Sequence, residues 1–334
     1  LPAGGQSVPG RPALWQGGRD TGEVAGGAVP AVAVFDERVC RLGEGPYYDD
    51  RSDRAGWVDI LGRTVRWREL AGNGAGELAV ADHVGAAVPR RGGGLVLCLP
   101  AGPTLLDPDG SVHPLGSYAE ADAEAERAAG PWVRPAAAAG QPPRRSNDAK
   151  ADPAGRLWLG TMAYAETPGA AALYRLDPGA AGPTRVLGGV TISNGLGWSP
   201  DATTMYYVDT PTGRVDRFDY DLGTGLPSGR RPFATVDPAD GAPDGLCVDA
   251  DGGVWVALWG GSAVRRYTPA GRLDRVVALP TPQVTSCAFA GPDYRLLLIT
   301  TAAAGRPAAD TAAGLTYRYE PGDVAGRPVD RFAG

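Results

Sequence analysis

The chain has 334 residues, enough for one large all-β domain or two smaller ones. A hydrophobic content of 43% supports a core and excludes wholesale disorder, while 50 glycines and 31 prolines without a strict period suit tight turns rather than collagen. The net charge of −6, with acids interleaved among the arginines, excludes the basic face of a nucleic-acid binder.

Residues 1–30 are mostly Gly, Pro and Ala without periodicity and are expected to form a flexible arm. From residue 31 to 334 the chain becomes a succession of short runs rich in branched and aromatic residues, each bounded by Gly, Pro or Asp. In order these include Gly56 to Ile60, Gly94 to Cys98, Arg156 to Leu159, Met205 to Val208, Val254 to Ala257 and Arg295 to Ile299. Most are followed by a second run ending in polar residues, such as Val215 to Phe218 or Val264 to Tyr267, which predicts hairpins. Residues 118–143 are an insertion: Tyr118 to Ala129 has helix-forming composition without an apolar stripe and predicts a solvated helix or ordered loop. It ends just before Asn147 and stands either as a lid over the site or as a surface loop. No apolar run reaches the length of a membrane span. Cys40, Cys98, Cys247 and Cys287 sit singly in or beside apolar runs, so buried reduced thiols and a cytoplasmic location are expected.

Three segments share one template: Asn147 to Trp158, Asn194 to Asp201, and Asp244 to Trp255. A more degenerate copy runs from Glu44 to Trp57. Asp49, Asp152 and Asp249 each stand five places after the opening residue, and Ser199 holds that place in the Asn194 copy. The openers at 147, 194 and 244 are 47 and 50 residues apart, the spacing of a radially repeated fold. Repeat starts near 44, 84, 147, 194, 244 and 285 predict an all-β, six-bladed β-propeller over residues 31–334. Equivalent positions in a propeller face one axis, so Glu44, Asn194 and Asp244 are expected to meet there. Two carboxylates and an amide oxygen favour a hard cation over structural zinc. The alternative for each Asn-Gly or Asp-Gly pair taken alone is an ordinary turn. With only His83 and His113 present, multi-histidine centres are excluded; His83 is placed at the surface or channel rim and His113 in a turn. No Gly-x-Ser-x-Gly elbow, phosphate loop or dinucleotide fingerprint occurs, and Gly72 to Gly76 reads as a turn. Lys150 is the only lysine.

The motifs Leu42 to Pro46 with Trp57 to Ile60, Arg145 to Pro153 with Gly160 to Met162, Ser193 to Asp201, and Pro243 to Asp249 resemble the senescence-marker-protein, regucalcin and gluconolactonase family in order and over most of the chain. The resemblance implies a six-bladed propeller with one divalent cation, Ca²⁺ first, with Mg²⁺, Mn²⁺ or Zn²⁺ as alternatives. It implies Glu44, Asn194 and Asp244 as metal ligands, Asp244 also as general base, Arg145 and Asn147 as substrate contacts, and Asp148 beside the pocket. It further implies hydrolysis of a small sugar or related lactone. Another ester, a phosphotriester or a specialised biosynthetic intermediate stands as the alternative substrate, and a non-catalytic calcium-binding propeller as the alternative function. A substrate-contacting glutamate of animal members falls on Ala165, with Glu166 one place on.

Overall fold

The computed structural model describes residues 32–128 and 142–334. Each short apolar run pairs antiparallel with the next, and the strands group into six four-stranded sheets. The first blade comprises Gly43–Asp49, Arg54–Asp59, Thr64–Glu69 and Ala75–Ala79; the second comprises Ala87–Pro89, Leu95–Cys98, Pro103–Leu106 and Val112–Pro114. The third comprises Arg144–Ala151, Leu157–Ala163, Ala171–Leu176 and Thr184–Val190, and the fourth Ser193–Trp198, Thr204–Asp209, Arg214–Asp221 and Leu226–Thr235. Ala242–Val248, Val254–Trp259, Ala263–Tyr267 and Leu273–Ala278 form the fifth. The sixth takes Val284–Ala290, Leu296–Thr301 and Thr316–Tyr319, then recruits Ala33–Asp36 from the start of the chain as its outer strand. That pairing closes the ring. The fold is a six-bladed β-propeller, with each blade beginning close to the predicted start of its repeat.

Packing explains why the ring holds. A separate apolar cluster fills the space between each pair of neighbouring blades, from Val58, Val84 and Leu97 between the first and second to Tyr48, Ala290 and Leu298 between the sixth and first. Trp57, Trp158 and Trp255, each on the second strand of its blade, are fully buried, Trp158 and Trp255 within these seams. At roughly 25 cal/mol per Å² and ~150–250 Å² per aromatic side chain, each stabilises the fold by several kcal/mol. The acid of the repeated template serves the same strands. Asp249 accepts from the backbone N–H of Gly253 at 2.7 Å, from Trp255 Nε1 at 2.9 Å and from Arg266 Nε at 2.7 Å. Asp152 accepts from the N–H of Arg156 at 2.9 Å and from the Tyr220 hydroxyl at 2.5 Å. This acid clamps the first hairpin of the blade and lies away from the axis.

The last residues form the floor of the channel. The N–H of Gly326 donates to Tyr294 O in the sixth blade, and that of Ala250 in the fifth donates to Ala325 O. Arg327 reaches Ser199 O of the fourth blade, and Arg331 pairs with Asp49 of the first at 2.8 Å. Phe332 exchanges backbone hydrogen bonds with Pro89 and Arg91 of the second blade, and the N–H of Ala333 donates to Gly155 O of the third. One segment therefore touches all six blades on the face where the inner strands end.

Two expectations need correction. The insertion forms a helix, Tyr118–Ala128, but it is not simply solvated: Tyr118, Ala121 and Asp122 are buried. Asp122 accepts from Arg144 Nη2 at 2.6 Å and from the Tyr174 hydroxyl at 2.9 Å, and Tyr118 and Ala121 join the apolar cluster between the second and third blades, so the helix docks through a short mixed face. His113 lies within the outer strand Val112–Pro114 rather than a turn, with Nε2 at 3.3 Å from Asp107. The four cysteines are free and buried, as read from the sequence. The arm at residues 1–30 and positions 129–141 of the insertion lie outside the described residues.

Candidate functional site

The inner strands do not run regularly past the axis. The pairing of Ser193–Trp198 with its neighbour slips between Ser193 and Leu196, placing Asn194 and Gly195 opposite a single residue. The same slip occurs between Pro243 and Leu246, around Asp244, and between Ser146 and Ala149, around Asn147 and Asp148. In the first blade it follows directly after Glu44. These are β-bulges, which re-aim side chains where a regular pleat would turn them into a sheet face. The Asn-Gly and Asp-Gly pairs are thus strand residues, and their glycines answer to close packing rather than to turns. A Cβ on Gly195 would stand 2.5 Å from Asp244 O, and one on Gly245 would stand 2.1 Å from Ser286 Oγ.

Glu44, Asn147, Asp148, Asn194 and Asp244, with Arg145, are all buried at the axis. Two orphaned acceptors stand out: Asn194 Oδ1 and Asp244 Oδ1 are buried without a hydrogen-bond partner. The orientation of the Asn194 amide follows from its neighbour. Thr210 Oγ1 donates its proton to Pro243 O at 2.9 Å, so it can only accept from Asn194 Nδ2, 3.0 Å away. Oδ1 is left facing the axis. Thr210 is a positioning residue that the sequence did not signal. Asp209 acts in a similar way just before it, accepting from the N–H of Ile192 at 3.0 Å and so bracing the segment that leads into Asn194.

Asn147 is differently committed. Its Oδ1 accepts from Arg145 Nη1 at 2.6 Å and its Nδ2 donates to Ser193 O at 2.9 Å. With both ends of its amide engaged, it holds the Arg145 guanidinium in place. The field of Arg145 reaches Glu44, Asp244, Tyr164 and Glu166, which puts it between the acidic centre and the channel mouth. At that mouth His83 Nδ1 and the Tyr164 hydroxyl are 2.7 Å apart, so His83 is a rim residue. Glu166 takes a left-handed backbone conformation at φ 51° in the tight turn after Ala163, which brings its charge within reach of Arg145; Ala165 is exposed.

Burial is the main reason that the carboxyl groups of Glu44 and Asp244 are pushed well above their ordinary range. The charge of Asp148 raises both further and that of Asp244 also raises Glu44, while the nearby Asn194 side chain holds Asp244 down and Arg145 opposes the rise in both. Burial likewise raises Asp148, opposed by Lys150. Crowded buried acids beside orphaned oxygens are the arrangement that a bound cation would relieve. Among the described residues no three His, Cys, Asp or Glu side chains group as a metal cluster. The set at the axis has a different composition: two carboxylates and one amide oxygen, all hard donors with free lone pairs, and it fits a cation of the calcium class.

A family model described as the SMP-30/gluconolactonase/LRE-like region matches residues 42–303. The chain belongs to that family. Among its relatives, regucalcin of Danio rerio is 35% identical over 301 residues, covering 88% of this chain and 95% of that protein. The crystal structure of a calcium-binding protein, regucalcin from Agrobacterium tumefaciens, superimposes with a TM-score of 0.79 at 31% identity, covering 92% of this chain and 98% of that one. A luciferin-regenerating enzyme gives 0.80 at 28% identity, covering 91% and 100%. Among the described residues no helix is long and apolar enough to cross a membrane.

Proposed function

We propose that the chain is a divalent-metal-dependent lactone hydrolase in which Glu44, Asn194 and Asp244 hold one cation at the propeller axis. The reading rests on Asn194 Oδ1 and Asp244 Oδ1, two buried acceptors on the inner strands of neighbouring blades that lack a hydrogen-bond partner. Family membership supports the lactone as substrate class, and the calcium-binding description of the Agrobacterium regucalcin supports Ca²⁺ as the first candidate, with Mg²⁺, Mn²⁺ or Zn²⁺ as alternatives.

A divalent ion in this place supplies Lewis acidity for a carbonyl oxygen and acidifies nearby water. The residues do the rest. Asp244 accepts the proton of the water that adds to the lactone carbonyl carbon, then returns it to the ring oxygen as the C–O bond breaks, giving a hydroxy acid. Arg145, held by Asn147 and facing the mouth, hydrogen-bonds substrate oxygens and fixes the ring over Asp244. Asp148 adds negative charge beside the pocket, and burial of the whole group strengthens each of these interactions.

A pH-indicator assay over a panel of sugar lactones, with and without a chelator, tests this. Acid release should require the cation, and Asp244→Ala should lower turnover by a thousandfold or more. Acid release that survives exhaustive chelation, or full activity in Asp244→Ala, refutes the assignment.

A further inference from the structure

Lys150 is the only lysine in a chain that otherwise uses arginine for its basic side chains. The strand Arg144–Ala151 carries Arg145, Asn147, Asp148 and Lys150 in succession, with Arg145 acting on Glu44 and Asp244 and Lys150 acting on Asp148. Lys150 Nζ donates to Leu246 O at 2.7 Å, two residues beyond Asp244 on the inner strand of the fifth blade. It thus spans from the third blade past the fourth. Lys150 and Asp148 both line the chamber between the centre and the C-terminal floor, together with Ser286, Cys247, Cys287 and Asp330. Asp148 is 6% exposed, and its Oδ2 has no partner. A compact ammonium can keep two N–H bonds on chamber water while the third pins Leu246, whereas a planar guanidinium needs five acceptors in a fixed fork.

We propose that Lys150 is a positioning residue that sets how tightly the centre holds its cation: its ammonium offsets the Asp148 carboxylate, so that Glu44 and Asp244 alone present uncompensated charge. This rests on the divalent-ion reading above. The Asp148 charge acts on both Glu44 and Asp244 and the Lys150 charge acts on Asp148, so in their shared chamber the two bear on a bound ion with opposite sign. Removing either partner therefore shifts affinity in a predictable direction, and removing both largely cancels.

The test is calorimetric titration of calcium into the full chain in mildly alkaline buffer, for the wild type, Lys150→Met, Asp148→Asn and the double variant. Lys150→Met should bind calcium at least about tenfold more tightly, Asp148→Asn at least about tenfold more weakly, and the double variant within about threefold of wild type. Lys150→Gln keeps a donor for Leu246 without the charge; it should behave as Lys150→Met does and replaces it if the methionine variant does not fold. Unchanged or weaker binding in a folded Lys150→Met or Lys150→Gln, or a double variant as weak as Asp148→Asn, overturns the inference alone. A wild type that binds no calcium overturns it together with the divalent-ion reading.

Discussion

Thr210 shows how a residue with no chemistry of its own can decide what the centre is. Its hydroxyl proton is committed to Pro243 O, so it fixes the Asn194 amide with oxygen toward the axis. Thr210→Val keeps the shape but frees that amide to rotate. Calcium affinity should fall about tenfold, as for loss of a group that orients a metal ligand, while the melting curve changes little; titration calorimetry beside thermal unfolding measures both. The shared register of Glu44, Asn194 and Asp244 was legible in the sequence because a repeat sets it, and all three are buried on inner strands. Thr210 was not, since it belongs to a connection between strands that the repeat does not constrain. The template acids were legible as a pattern but not in their role: Asp152 and Asp249 direct their oxygens to backbone N–H groups and to a buried Trp or Tyr.

Among the elements, the C-terminal segment left the weakest trace. It carries no strand periodicity, yet it reaches every blade and closes the channel below Lys150. Within it Asp330 has its carboxyl pushed up to about 6, chiefly by burial. A carboxyl raised in this way contributes stability that is complete below about pH 4 and is lost as the pH rises through about 6. Asp330→Asn should therefore match wild type in acid and exceed it by roughly 2–3 kcal/mol at pH 8, since two pKa units correspond to about that energy. Urea unfolding at the two pH values measures it; a variant less stable than wild type at pH 8 would contradict the cause given. The helix Tyr118–Ala128 was legible from composition, but its docking was not, because the face formed by Tyr118, Ala121 and the anchored Asp122 is too short to show as a stripe.

At the scale of the molecule, the start of the chain completes the sixth blade through the pairing of Ala33–Asp36 with Thr316–Tyr319, beside the apolar seam between the sixth and first blades. Without that strand, Thr316–Tyr319 becomes an open edge, which invites pairing with another chain. A variant lacking residues 33–36 should melt lower and self-associate, and light scattering during thermal unfolding distinguishes this from simple destabilisation. The six repeats made the propeller readable before any coordinates, since few other folds present one template at a spacing of 47 and 50 residues. What the repeat could not show is that the inner strands bulge at the openers. That local slip, not the blade architecture alone, is what the proposed shared cation requires of the inner strands.

Crystals grown with manganese and measured for anomalous scattering address that shared cation directly. One peak should appear at about 2.0–2.6 Å from Asn194 Oδ1, Asp244 Oδ1 and a Glu44 oxygen. A peak elsewhere, or none at saturating manganese, would contradict a shared cation at the axis.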